Sequence, residues 1–393
     1  MPSRQAAAQL TSPSAPRRPR ILVSGVSADR VCGVRDQAAV LSGALANAGA
    51  DVSTAWGPDS NGEAPDLEEL ARQIGQSVRE HRAEAVLLHY SVFAFSRRGL
   101  PLGVPGLAAR LRKLGVPLLV FAHELACPWA DRGWRGATQA ITQRAALLPL
   151  LSVAARVFVT TPERVEWLTA RRWLLWCPAT FVPIASNIAP HPLSEGVSPV
   201  RGRIGLFSFS DKALAVDLLV GAVADAARST GFAQLVLIGG PGPDSPAAER
   251  WRAAASAVGC SLTFTGTATE AEVSRQLAAC EVVVLPDPSG PSPRKSSLAA
   301  ALAHGRPVLA LDGPNTWQEF IDSAAVEVAD ASRNALAAAL DQLLQDADRR
   351  EALGARAKSF YERRLAVEAA AQVVLKDIIT VGGDCGARCC TPP

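Results

Sequence analysis

The feature that most constrains this chain is an alternation of short apolar runs with longer helical patterns, which happens twice. Residues 21–24, 52–55, 85–89, 117–122, 156–160 and 180–183 read as strands, and residues 36–48, 67–81, 104–114, 138–151 and 162–170 as the helices between them. Residues 189–202 (APHPLSEGVSPVRG) then hold three prolines and two glycines with no periodicity, the mark of a linker. A second alternation follows, with strands at 204–209, 234–238, 262–265, 282–286 and 307–311, a weaker one at 325–328, and helices at 212–228, 247–258, 270–279, 296–304 and 317–322 and on to 379. Strands separated by helices of about 10–15 residues signal βαβ units and a parallel sheet. The expected fold is therefore α/β, with two Rossmann-like, doubly wound parallel-sheet domains facing a cleft. The predicted boundaries are a disordered leader at 1–19, a first domain at 20–188, the linker at 189–202, a second domain at 203–365, a C-terminal helix at 366–380 and a disordered tail at 381–393.

Local signals agree. Gly49 and Gly115 stand just past helical runs, where the chain needs φ > 0. Thr161 and Pro162, followed by Glu163 and Glu166, suit an N-cap, a first-position proline and an acidic first turn. A length of 393 residues with 48% hydrophobic residues supplies material for two cores. The 40 basic and 37 acidic residues leave a net charge of +3, which excludes a general nucleic-acid binder. Of the eight cysteines, five are scattered singly, so no disulfide framework is expected. Cys385, Cys389 and Cys390 fall in the tail without CxxC spacing or a nearby histidine, and no metal site is expected. The first twenty residues lack the apolar core of a signal peptide. The longest apolar stretch, 145–159, contains Pro149 and Arg156 and is shorter than the ~20 residues of a membrane span. It reads as a buried helix followed by a strand and also admits a peripheral membrane contact. A soluble, cytoplasmic protein is expected.

In such sheets ligands bind beyond the strand C-termini, where the strand order reverses. This directs attention to the loops 25–35, 89–99, 123–134 and 287–297. The last is the most informative. A strand ending at Pro286 leads through a Pro/Gly/Ser-rich loop to Arg294, Lys295, Ser296 and Ser297, which open an alanine-rich helix. A helix start offers free N–H groups and partial positive charge to phosphate, the two cations add charge-assisted bonds, and the serines either cap the helix or reach phosphate oxygens. The same residues also fit an ordinary capped helix with two solvated cations. A second phosphate element is Ser208 with Lys212, after the first strand of the second domain. The one Asp-x-Asp, Asp346 to Asp348, lies in a polar helical stretch and reads as solvated surface.

Several segments, in order, carry a resemblance. They are Gly33-Val34 before the first helix, the run from His89-Tyr90 to Arg97-Arg98-Gly99, the pair His123-Glu124, the segment 183–188 (PIASNI) and the turn 301–308 (ALAHGRPV). Across roughly residues 20–365 the chain resembles GT-B fold glycosyltransferases, most of all glycosyltransferase family 4. The resemblance implies a retaining transfer from a nucleotide diphosphate sugar to an acceptor hydroxyl, with no other cofactor, and the expected cations and helix dipoles at the diphosphate make a metal unnecessary. It assigns Gly33, Ser208, Lys212, Ser292, Arg294, Lys295, Ser296 and Ser297 to the donor. His123, Lys212 and Arg294 become the candidate catalytic groups, His123 as a base of near-neutral pKa or as a partner of a sugar hydroxyl. His89, Arg97, Arg98 and Glu124 become candidates for a glycan, lipid-linked or small-molecule acceptor. The chain departs from the family at two glutamates eight positions apart, whose places fall near Ser292 and Ala300. That departure leaves open a non-catalytic GT-B nucleotide-binding or partner subunit, and a sugar-nucleotide epimerase built on the same fold is the other alternative.

Overall fold

The computed structural model describes residues 18–27, 32–57, 65–96, 98–127, 133–171, 177–208 and 214–388, the side chains of 193 and 383–388 excepted. The leader at 1–17 lies outside the described residues. The first sheet comprises β1 (Arg20–Gly25), β2 (Asp51–Trp56), β3 (Ala85–Ser91), β4 (Leu118–Glu124), β5 (Ala154–Val159) and β6 (Ala179–Phe181). Its strands are all parallel, in the order β2-β1-β3-β4-β5-β6. Around it lie α1 (Gly33–Asn47), α2 (Leu67–Glu80), the short α3 (Val92–Phe95), α4 (Val104–Arg112), α5 (Gly133–Val153) and α6 (Pro162–Thr169).

The second sheet comprises β7 (Arg203–Ser208), β8 (Gln234–Gly239), β9 (Leu262–Gly266), β10 (Val282–Leu285), β11 (Val308–Leu311) and β12 (Glu327–Ala329). It too is parallel, in the order β12-β11-β10-β7-β8-β9. Its helices are α7 (Val216–Thr230), α8 (Pro246–Val258), α9 (Glu270–Ala278), α10 (Ser296–Ala303), α11 (Gln318–Asp322), α12 (Arg333–Gln345) and α13 (Ala347–Phe360). A π-helical turn at Tyr361–Leu365 leads into α14 (Val367–Arg388).

The central strands are apolar on both faces because helices cover both faces. In β10, Val282 and Val284 belong to one core cluster, while Val283 and Leu285 belong to the cluster on the opposite face. Helix ends follow the local chemistry. Asp66 accepts from the N–H groups of Glu68 (3.0 Å) and Glu69 (2.9 Å) to start α2. Gly49 and Gly115 do adopt positive φ, 101° and 71°. Thr161 occupies the N-cap position of α6, although its hydroxyl makes no capping bond. The apolar stretch 145–159 is spent on the end of α5 and on β5, with Leu147, Leu150, Leu151 and Val157 buried in one core. No helix among the described residues is long and apolar enough to cross a membrane.

The C-terminal helix is longer than the expected 366–380. It runs to Arg388, through the start of the segment expected to be a disordered tail. It also leaves the second domain and returns to the first. Ala370, Ala371, Val374, Leu375 and Ile378 pack with Leu41 and Leu45 of α1 and with Ile21 and Phe121 of the sheet. Thr180 Oγ1 donates to Asp377 Oδ2 (3.1 Å), and the Arg156 guanidinium lies 3.9 Å from Asp377 Oδ1. The segment 189–202 is held against the second domain, where Ser274 Oγ accepts from His191 N (3.0 Å) and Ala279 O accepts from Val200 N (2.9 Å).

Candidate active site

Strand order locates the site. In the second sheet the order reverses between β7 and β10, and in the first between β1 and β3. A polypeptide leaving adjacent strands in opposite directions opens a crevice at their C-terminal ends. The two crevices face each other across a cleft of about 480 Å³ that residues of both domains line, among them Gly33, His123, Glu124, Arg294, Lys295 and Ser296. Residues far apart in the chain, and singled out from sequence, thus meet in one place.

On the second-domain side, the loop after β10 is fixed by its own polar groups. Asp287, 7% exposed, accepts from Ser289 N (2.8 Å) and Ser289 Oγ (2.6 Å) through Oδ1 and pairs with Lys295 Nζ through Oδ2. Burial alone raises its pKa, but the bonds from Lys295 and Ser289 and the charge of Lys295 outweigh that and hold the carboxyl below its ordinary range. Asn315 N and Trp317 N bond to Ser289 O (2.7 Å) and Pro291 O (2.9 Å), and Ile184 N of the first domain bonds to Pro293 O (2.9 Å). Gly290 takes φ 90°, and a Cβ on Gly313 would stand 2.2 Å from Pro288 O, so two glycines let the strands of this loop touch.

This geometry sorts the predicted donor residues. Arg294 is exposed at the cleft. Lys295 lines it too, but its ammonium is committed to Asp287 rather than free for phosphate. The N-cap of α10 is Lys295, without a side-chain cap, so Ser296 and Ser297 are the first helical residues rather than caps. Their N–H groups belong to the unpaired first turn that favours anions. Ser292 is only 2% exposed and offers the cleft little of its hydroxyl, while Ala300 is fully buried inside α10. Neither glutamate place of the family therefore opens on the cleft here. Ser208 ends β7 at the switch point, and Lys212 lies outside the described residues.

On the first-domain side, β4 carries a bulge. Tyr90 pairs with Ala122 and Ser91 with Glu124, which leaves His123 as the extra residue. A bulge re-aims side chains at a strand end. Here it brings both His123 and Glu124 to the cleft. His123 Nε2 shares a hydrogen bond with His89 Nδ1 (3.0 Å), and His89 stacks on Phe121 with ring centroids 5.1 Å apart. Burial, then the charge of Arg164, pushes the His123 pKa down to about 3; burial, then His123, pushes that of His89 well down. Both corrections concern sequence expectations: His123 is not poised near neutrality, and His89, fully buried behind it, cannot touch an acceptor. Glu124 Oε2 accepts from Ser91 Oγ (3.1 Å). Arg98 is exposed, with its carbonyl held by Gln139 Nε2 (2.9 Å), but it is not among the cleft-lining residues, and Arg97 lies outside the described residues.

Two contributors carried no sequence signal. Arg164, in the first turn of α6, donates to His123 O (2.7 Å) and Thr160 Oγ1 (2.7 Å). Burial and then the facing charge of Arg294 lower its pKa to about 10, with Glu124 opposing. Arg164 thus holds the backbone of His123 from behind the cleft while feeling the charge of Arg294 from the other domain. Gln37 also lines the cleft, buried on the inner face of α1. Neither residue stands out in sequence, because an arginine or glutamine in a helical run is ordinarily solvated.

Residues 202–346 match the family model described as Glycosyl transferases group 1. No curated protein matches the sequence. Among solved structures, the chain is similar to a sucrose-phosphate synthase from Thermosynechococcus elongatus, with 20% identity, a TM-score of 0.68, and coverage of 92% of this chain and 98% of that one. It is similar to Anabaena HepE in complex with UDP, with 14% identity, a TM-score of 0.65, and coverage of 92% and 100%. A UDP-forming trehalose-phosphate synthase from Burkholderia xenovorans gives 12% identity, a TM-score of 0.64, and coverage of 93% and 99%. At these identities the structures establish the shared fold, two Rossmann-like domains in the GT-B arrangement. Residues 202–346 thus match group 1 glycosyl transferases, within a chain that has the two-domain GT-B fold.

Proposed function

We propose that this protein transfers a sugar from a nucleotide diphosphate sugar to an acceptor hydroxyl, without a metal and with retention of anomeric configuration. The observation that carries the reading is the convergence of Arg294 and the start of α10 on a cleft that His123 and Glu124 line from the other domain. Breaking the bond from the anomeric carbon to the diphosphate oxygen leaves an electron pair, and negative charge, on that oxygen. Fixed cations and free helix N–H groups in a confined site stabilise such charge without reorganising. Lys212, four residues after the end of β7 in the chain, is a further donor-binding candidate in this proposal.

The acceptor oxygen forms the new bond to the anomeric carbon and gives up its proton. With its pKa near 3, His123 is a far weaker base than a phosphate oxygen, whose second pKa is about 6. The proposal gives the proton to the leaving diphosphate, which places acceptor and leaving group on the same face of the sugar, as retention requires. His123 then acts as a hydrogen-bonding group toward the sugar, and Glu124 toward the acceptor. The UDP in the HepE complex makes a uridine nucleotide the first donor to test. The test is release of nucleoside diphosphate from a panel of nucleotide sugars, with and without a chelator, and NMR of the product's anomeric proton. Release that survives chelation with unchanged anomeric configuration is expected. No release with any donor and cell-extract acceptors would overturn the reading and favour a binding or partner subunit.

A further inference from the structure

Two glutamines of the first domain are buried, and they differ in how their amides are satisfied. Gln143 on α5 is bonded at both ends: its Oε1 accepts from Cys127 N (2.7 Å) and its Nε2 donates to Gly99 O (2.9 Å). It is a structural strut. Gln37 on α1 is 2% exposed, and neither its Oε1 nor its Nε2 has a hydrogen-bond partner among the described residues. A buried amide without partners is disfavoured, and native proteins rarely retain one without a use. Gln37 lines the cleft, as does Gly33. Gly33 lies four residues earlier on the same face of α1, and no atom stands within 4 Å of where its Cβ would be. Open space and an unsatisfied amide therefore sit side by side.

We propose that Gln37 reads the acceptor, and that the acceptor is a saccharide or polyol presenting neighbouring hydroxyls to this amide. The inference rests on the glycosyltransfer reading above and narrows its acceptor. An amide offers an acceptor oxygen beside two donor hydrogens, the complement of hydroxyls that both donate and accept. A phosphate or carboxylate, which only accepts, would satisfy the Nε2 hydrogens but oppose the Oε1 lone pairs. The cleft divides accordingly. Arg294 and the start of α10 on the second domain suit the charged donor, and Gln37 on the first suits an uncharged, hydroxylated partner. A site built to bond a hydroxyl rejects an analogue lacking it strongly, because its own polar groups are then left unpaired.

The experiment uses the full chain. Binding of UDP, GDP and ADP is measured first, because it depends on the donor side alone. Nucleoside diphosphate release from the matching nucleotide sugars is then followed with n-propanol, propane-1,2-diol, glycerol, inositol, glucose and maltose as probe acceptors. Vicinal polyols and sugars are expected to stimulate release and n-propanol is not. Gln37→Leu should lose at least tenfold in kcat/KM for the best polyol, hold its nucleotide Kd within twofold, and show an unchanged or higher Tm, since leucine is of similar volume and no bond to a described residue is lost. Gln37→Glu, which keeps the oxygen but loses the donor hydrogens, should fall between. Three results overturn the proposal: nucleotide binds but no polyol outperforms propanol; Gln37→Leu keeps its kcat/KM within twofold; or Gln37→Leu lowers Tm and nucleotide affinity together, the signature of a packing role. If the wild-type chain binds no nucleotide, the glycosyltransfer reading fails first and the acceptor assignment falls with it.

Discussion

An imidazole takes up a proton near pH 6.5 in water, and burial holds His89 and His123 neutral to far lower pH. The unfolded chain therefore binds more protons than the folded one between about pH 6.5 and pH 3. Stability rises with pH wherever that is so, so this contribution is complete above pH 6.5 and is lost as the pH falls through that window. Urea titrations at pH 7, 6 and 5 should show falling stability, and His123→Gln should reduce the slope by up to about 1.4 kcal/mol per pH unit. An unchanged slope would mean that the imidazole is not held neutral. Arg294 sets the second expectation at this scale. Because it is exposed at the cleft and Lys295 is committed to Asp287, Arg294→Ala should weaken nucleoside diphosphate binding about tenfold or more by calorimetry. Arg294 was legible in the sequence because it precedes an apolar helix after a strand. Arg164 and Gln37 were not, since their meaning comes from what faces them across space.

The decisive element is the loop between β10 and α10. Its shape depends on close contact with residues 313–317, and a Cβ on Gly313 would meet Pro288 O at 2.2 Å and the Ser289 carbonyl carbon at 2.5 Å. Gly313→Ala should therefore displace the loop, costing about 1–3 kcal/mol in stability and lowering nucleotide affinity in the same variant. Differential scanning calorimetry and nucleotide titration check both. Asp287→Asn should destabilise the loop at pH 7. That difference should shrink as the pH falls through and below the ordinary carboxylate range, because the native carboxyl titrates at lower pH than the unfolded one. From sequence, this loop was recognisable by its prolines, glycine and cations. What could not be read was that Lys295 closes on Asp287, or that one extra residue in β4 makes a bulge at His123. Both depend on a partner segment that the local pattern does not name.

Across the whole molecule, α14 ties the two halves together by returning to the first sheet. Val374, Leu375 and Ile378 are buried there, and each contributes about 1.5–3 kcal/mol relative to exposure. Ending the chain after Leu365 should uncover an apolar face formed with Leu41 and Phe121, giving a protein that binds a hydrophobic dye or aggregates. Ending it after Gly382, beyond the residues of that core, should leave Tm nearly unchanged. Dye binding and thermal denaturation distinguish the two truncations.

By itself the sequence determined the fold class, because the period of its apolar residues dictates which segments become strands and which become helices, and the linker at 189–202 separates two such sets. It also placed Arg294 at a helix start, where charge and backbone act locally. Only the tertiary structure decided the rest. Strand order put the ends of β7 and β10 beside each other, and packing of the two domains brought Arg164 under the charge of Arg294. Burial took the basicity from His123, closed off His89 and left the Gln37 amide without a partner among the described residues at the cleft. Desolvation and charge proximity depend on distances between segments remote in the chain, and no local pattern encodes those distances.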